Sequence, residues 1–332
     1  MDLITFGEAM VRLTPPGFQR LDQARSFEAY VGGAELNVAV AAARLGTASR
    51  WVSRLPDNAL GHMIANRARE HGVDAHIEWT TDDRAGLYFA ELGAAPRASS
   101  VLYDRAASAM SRVTPGTIDW PSMFRGARWL HVSGITPALS ESAATALAEA
   151  LIEAKRARLT VSYDLNYRSK LWSAEKARAV QERLMEYVDV LITTEEDTRV
   201  VFGMTVRETR DPLDAEACDE IARALEGKFD LGAVAVTLPL AVRSAWSAVV
   251  VAQGKTYRAP RHDVDVVDRI GAGDAFCAGL IVSRLESRGW DDAARFAAAT
   301  AALKHTIPGD FCLVTRGEVD QLVRGASPRV SR

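Results

Sequence analysis

An α/β fold built on a mainly parallel, doubly wound sheet is what this sequence predicts, on three observations. From about Ala127 onward short apolar runs alternate with longer amphipathic ones, the pattern of strands joined by crossover helices. Runs such as Val188–Thr193 are apolar almost throughout, as strands covered on both faces are. The chain has 332 residues, 48% of them hydrophobic and 25% charged, enough for one large α/β domain with an appendage or for two domains of about 150 residues. That composition excludes the disordered and collagen-like classes.

The elements follow in order. Leu3–Phe6 is a first strand. Pro15, Pro16 and Gly17 make a loop, and Ala34–Leu45 a helix that Gly46 ends as a C-cap. Between Arg84 and Arg112 two extended segments, Gly86–Leu92 and Ser99–Arg105, flank the turn-like Gly93–Arg97, a hairpin outside the main sheet. Such an element projecting from an α/β core suits a lid over a site at the strand ends. Strands at Arg128–Ser133, Leu159–Asp164, Val188–Thr193 and Ala233–Leu238 then alternate with helices at Ser140–Arg158, near Ala174–Tyr187 and near Asp214–Leu225. From about Ala326 the chain reads as a loose tail.

Charge and cysteine content narrow the function classes. The 40 Lys plus Arg against 43 Asp plus Glu leave a formal charge of −3, so no global basic field draws in nucleic acid or an anionic membrane. Cys218, Cys277 and Cys312 form no CxxC pair, which fits free thiols in a reducing compartment. Asp2, Glu8 and Arg12 interrupt the first apolar stretch, and the charge-free run Leu231–Val242 falls short of the roughly 18 apolar residues of a membrane span. A cytoplasmic enzyme or binding protein is expected.

The sharpest local signal is Asp268-Arg-Ile-Gly-Ala-Gly-Asp-Ala-Phe-Cys-Ala-Gly279, small residues before an acid that opens an apolar helix. Gly271, Ala272 and Gly273 leave backbone N–H groups unobstructed at a helix N-terminus, where the dipole and unpaired donors favour a phosphate. Asp274 beside them suits a base that takes a substrate hydroxyl's proton while the amides stabilise a transferred phosphoryl group. The same pattern suits a helix cap over a tight turn. No P-loop occurs, the dinucleotide fingerprint fails at Phe276, and the six histidines form no HExxH or Cys/His cluster, so no dedicated zinc site is indicated. A second glycine pair, Gly32-Gly33, precedes Ala34-Glu35-Leu36-Asn37, and either admits a ligand close to the backbone or makes a plain turn. Asn37, an amide in an Ala/Val/Leu helix, either satisfies buried backbone or contacts a polyol.

Gly32-Gly-Ala-Glu-Leu-Asn-Val-Ala39 with Arg44-Leu-Gly46, together with Gly271–Gly279, resembles the two signatures of the ribokinase-like (PfkB) carbohydrate kinases, in the expected order and over essentially the whole chain. The resemblance implies a three-layer αβα sandwich over about residues 1–325, a small β lid from about 10–32 and 84–113, and a tail at 326–332. It implies ATP and Mg²⁺ as cofactors, Asp274 as base, Gly271, Ala272 and Gly273 as the anion hole, and a homo-oligomer. Pro15–Arg20, Tyr103–Ala109, Asp164–Trp172 and Lys304–Asp310 further resemble the branch that phosphorylates 2-keto-3-deoxy sugar acids. The expected reaction is transfer to the terminal hydroxyl of 2-keto-3-deoxygluconate.

That branch implies a substrate site from Gly33, Asn37, Tyr88, Tyr103 and Arg105 on one side and Ile135, Asp164, Asn166 and Arg168 on the other. Tyr103 and Arg105 lie two apart on a strand and face the same side. An arginine on the lid, joined by Arg168 after a core strand, suits a carboxylate, the alternative being two surface charges. Asp164 and Asn166, two apart at a strand's C-terminal end, either face the cleft or cap a loop.

The chain also departs from the family pattern. Thr193-Thr-Glu-Glu-Asp197 stands where the family has Asn-x-x-Glu, with Thr194 for the asparagine and Asp197 for the glutamate. Glu195, Glu196 and Asp197 still offer carboxylates to a metal through water. The stretch Thr237–Trp246 lacks the glycines many family members have, and Pro239 removes a donor, so ATP is held either less tightly than usual or by side chains such as Arg243 and Ser244; the nucleotide contacts the resemblance implies are Thr194, Thr237, Arg243, Ser244, Gly271 and Gly273. Two rival readings are a kinase for a neutral sugar or nucleoside, opposed by Arg105 and Arg168, and a non-catalytic sugar-acid sensor, opposed by Asp274 and its glycine turn.

Overall fold

A computed structural model describes residues 1–204, 215–238 and 245–325. Strand β1 (Leu3–Phe6) lies in the interior of the main sheet, and the chain leaves it at once for two strands of a second sheet, β2 (Met10–Thr14) and β3 (Glu28–Gly32). It returns through the helix Ala34–Arg44 to β4 (Ser49–Pro56) and, after the helix Ala59–Glu70, to β5 (Asp74–Thr80). The second sheet is completed by β6 (Gly86–Glu91) and β7 (Ser100–Asp104). Then follow β8 (Trp129–Ser133), β9 (Thr160–Asp164), β10 (Val190–Thr194), β11 (Ala233–Leu238), β12 (Ala245–Ala252), β13 (Lys255–Arg258) and β14 (His262–Asp263).

The main sheet runs β13-β12-β11-β10-β9-β8-β1-β4-β5, with β14 against β12, and the smaller one β3-β2-β6-β7. From β11 to β5 every pairing is parallel, so the strands' C-terminal ends share one edge of the sheet, the side on which open α/β sheets bind ligands. The expected alternation after Ala127 is present, with element ends shifted by a few residues. The three strands after β11 pair antiparallel. The apolar run of β12 does not differ from those of the parallel strands, so periodicity carries no sign of the reversal.

Period-two alternation builds a core on each face of the sheet. Ile4, Leu130, Val132, Leu191 and Val234 point to one, and Leu3, Trp129, Val190, Ile192 and Ala235 to the other. On the second face lies the helix Ala272–Leu285, apolar on nearly all sides, against the helix Trp290–Lys304. Gly279 permits the approach, since a Cβ there would stand 2.7 Å from the Ala297 Cα. The three cysteines are free and buried. Among the described residues no helix is long and apolar enough to cross a membrane.

Candidate active site

A cleft of about 440 Å³ opens between the strand ends and the smaller sheet. Its floor is the glycine turn. Gly271 caps the helix Ala272–Leu285 with φ at +84°, and any side chain there would run into the backbone oxygen of Asp310, so glycine is required twice over. Gly273 is exposed to the cleft, and the N–H groups of Gly271, Gly273 and Asp274 have no protein partner among the described residues. Ala272 departs from expectation. Its N–H donates to Arg269 O at 3.3 Å and the residue is buried away from the cleft, because the first helical turn rotates it toward the core.

Asp274 lines this floor. Asn37, from the helix Ala34–Arg44, donates through Nδ2 to Asp274 Oδ2 at 2.7 Å and accepts through Oδ1 from Gly33 N at 3.3 Å. The amide thus satisfies backbone, one of the two roles open from sequence, and also orients the acid. Burial pushes the Asp274 carboxyl up to about 6, with Asn37 and Arg168 pulling the other way. Behind Asn37, Glu35 is wholly buried and its Oε1 accepts from Ser133 N (3.0 Å) and Ser133 Oγ (2.6 Å), bracing the helix start on the end of β8.

The lid side of the cleft carries Tyr88 and Tyr103, paired in register across β6 and β7 with ring centroids 5.9 Å apart. The Tyr88 hydroxyl donates to the Asp310 carboxylate, so its ring rather than its OH is offered to the cleft. Arg105 lies one residue beyond β7, its guanidinium 5.4 Å from the Tyr103 ring centre. Arg105 is buried rather than a surface charge, and it is already engaged within the protein. Both Nε, at 2.8 Å, and Nη2 donate to Oε2 of the buried Glu8, which leaves only Nη1 without a partner among the described residues. Arg168 is half-buried at the cleft, makes no ion pair among the described residues, and donates to Tyr167 O at 3.2 Å.

Ile135, Asp164 and Asn166 also line the cleft. Asn166, at φ +40°, donates to Asp164 Oδ2 at 3.0 Å, so the two are partners of each other as well as cleft residues. Burial raises the Asp164 carboxyl well above its ordinary value and raises Asp197 too. Thr194 caps the helix Glu195–Phe202, its hydroxyl accepting from Asp197 N at 3.0 Å. Thr237, next to last in β11, and Trp246 also line the cleft. Pro239, Arg243, Ser244 and the tail at 326–332 lie outside the described residues. No three metal-ligating side chains cluster among those described. Asp164 and Asp197, standing singly on the wall, fit a hydrated hard cation held chiefly by phosphate oxygens rather than by a protein cage.

Sequence reasoning missed the charges beneath this site. Arg12, on β2 and fully buried, bridges Asp310 and Asp268 at 2.9 and 2.8 Å. Asp268 also accepts from Ile270 N (3.0 Å) and Gly309 N (3.1 Å), anchoring both flanks of the glycine turn. In the sequence Glu8 and Arg12 only interrupt an apolar N-terminus. A charged residue inside a buried strand pattern was itself the signal that a buried partner waits elsewhere.

The fold and this cleft set a buried carboxylate and a glycine turn side by side at the strand ends of an α/β sheet, the arrangement of a phosphotransferase. The family model described as pfkB family carbohydrate kinase matches residues 1–310, and the chain belongs to that family of carbohydrate kinases. It is 41% identical over 331 residues to a 2-dehydro-3-deoxygalactonokinase of Haloferax volcanii, covering 100% of this chain and 99% of the relative. A 2-dehydro-3-deoxygluconokinase of Thermoproteus tenax is 32% identical, covering 98% and 94%. The crystal structure of a 2-dehydro-3-deoxygluconokinase from Thermotoga maritima superposes with a TM-score of 0.92 at 41% identity, covering 98% of each chain.

Proposed function

We propose that this kinase transfers the γ-phosphoryl group of ATP to the terminal hydroxyl of a 2-keto-3-deoxy sugar acid of the gluconate or galactonate series. The observation that carries the reading is the cleft's polarity. Asp274 stands on its floor beside glycine-turn amides that have no protein partner among the described residues, and on its wall stands the Arg168 guanidinium, which makes no ion pair among them. A neutral sugar offers this guanidinium no charge to pair with, whereas a carboxylate forms a charge-assisted pair with it. Nη1 of Arg105 supplies a second donor, and the rings of Tyr88 and Tyr103 shape the sugar site.

In this reading Asp274 accepts the hydroxyl proton. A carboxyl held near 6 is ionised at neutral pH yet basic enough to bind a proton in flight. The N–H groups at Gly271 and Gly273 receive the transferred phosphoryl oxygens. Mg²⁺, with Asp164 and Asp197 in reach through water, would offset charge on those oxygens. The test is ADP release from Mg-ATP with each keto-acid epimer, fructose, ribose and adenosine in parallel. Turnover confined to the keto-acids is expected. Turnover on a neutral substrate at comparable kcat/KM would overturn the carboxylate argument.

A further inference from the structure

Lys304 is the last residue of the helix Trp290–Lys304 and is wholly buried. Lysines at helix ends ordinarily hydrogen-bond that helix's own last carbonyls or face water. This one does neither. Its Nζ donates to Ile307 O at 3.1 Å and to Asp268 O at 3.5 Å, carbonyls of the two segments that hold the glycine turn from either side. Its stem lies directly under that turn, with Cε 3.3 Å from where a Gly271 Cβ would stand. Those segments are also joined by His305 O, which accepts from Val267 N and Asp268 N, and by Gly309 N, which donates to Asp268. Burying an ammonium costs several kcal/mol unless its neighbours repay it, and an apolar chain of the same length would fill the space without that cost.

We propose that Lys304 is a positioning residue of the phosphoryl-transfer site, its ammonium clamping the carbonyls of Asp268 and Ile307 so that the Gly271–Gly273 turn keeps its amides directed at the incoming phosphate. The inference rests on the reading of that turn as the phosphate site. The charge also acts at a distance, since Lys304 helps keep Asp274 ionised. Arg12 cannot take over the clamp, because its guanidinium is committed to Asp268 and Asp310 side chains rather than to backbone.

Lys304→Met keeps the stem and removes the amine. With the fold retained by circular dichroism and cooperative melting, kcat is expected to fall about tenfold or more, with KM for the sugar acid within about threefold and weaker calorimetric binding of a non-hydrolysable ATP analogue. Lys304→Ala leaves a polar cavity, and added ammonium or methylammonium chloride is expected to restore kcat severalfold where tetramethylammonium does not. Should loss of the amine unfold the chain, Lys304→Gln, which keeps an N–H donor without the charge, carries the same comparison. A folded variant with unchanged kcat and analogue affinity, or no rescue by ammonium, would overturn the proposal. If the wild-type chain phosphorylates no sugar acid, the functional reading fails instead, and analogue binding alone then decides for or against Lys304.

Discussion

Replacing Asn37 with leucine is expected to move the acid limb of the pH profile upward without moving its plateau far. The carboxylate of Asp274 must be ionised to accept a proton, so activity is lost as pH falls through its pKa, which burial has raised to about 6. Asn37 opposes that rise through its 2.7 Å bond to Oδ2. A hydrogen bond to a charged group contributes about 1.5–3 kcal/mol, and 1.36 kcal/mol corresponds to one pKa unit. Losing the bond should therefore carry Asp274 to about 7–8. At pH 7 the ionised fraction falls from about nine-tenths to between about a half and a tenth, and the two enzymes converge near pH 9. The assay is kcat/KM for the sugar acid from pH 5 to 9, which reports groups of the free enzyme. An unmoved limb in the variant, or a wild-type limb near 4, would refute the reasoning.

Asp274→Asn is expected to lower kcat by about 10² or more in a folded protein; near-normal turnover in single-turnover kinetics would remove Asp274 from the base role. Arg168→Ala should raise KM for the keto-acid by about tenfold or more, from loss of a charge-assisted bond, with a smaller change in kcat, and an unchanged KM would return Arg168 to the surface charges. Arg12→Met leaves Asp268 and Asp310 buried without their cation, and urea unfolding should report a loss of about 3–5 kcal/mol. A loss below about 1 kcal/mol would show the pair to be worth no more than an exposed one.

Local pattern carried most of the architecture and the floor of the site. Leu3–Phe6 and Ala233–Leu238 were legible to the residue, because a short apolar run bounded by turn residues has few other readings. The lid hairpin was legible from its turn, and Asp274 and Asn37 from the small residues around them. Partnerships across the chain were not. Glu8 and Arg105 are 97 residues apart and Arg12 and Asp310 are 298 apart, and nothing in either neighbourhood names the other. Hence Arg105 reads from sequence as open to a carboxylate, although two of its three nitrogens donate to Glu8. The stretch between Ser49 and Thr80 forms two strands and a helix that no sequence argument had assigned, and only the pairing of β4 with β1 makes its place evident.

The Glu8–Arg105 pair has a consequence for anyone wishing to exchange lids between relatives in order to change substrate. Glu8 precedes β2 and Arg105 follows β7, so the smaller sheet is fastened at its root by two residues that a transplant of the 84–105 hairpin would separate. Such a graft, unless it brings its own arginine, strands a buried carboxylate in the host. Transplants that carry residues 8–32 along with the hairpin keep the fastening intact, which makes that discontinuous pair of segments, rather than the hairpin, the portable unit of the smaller sheet.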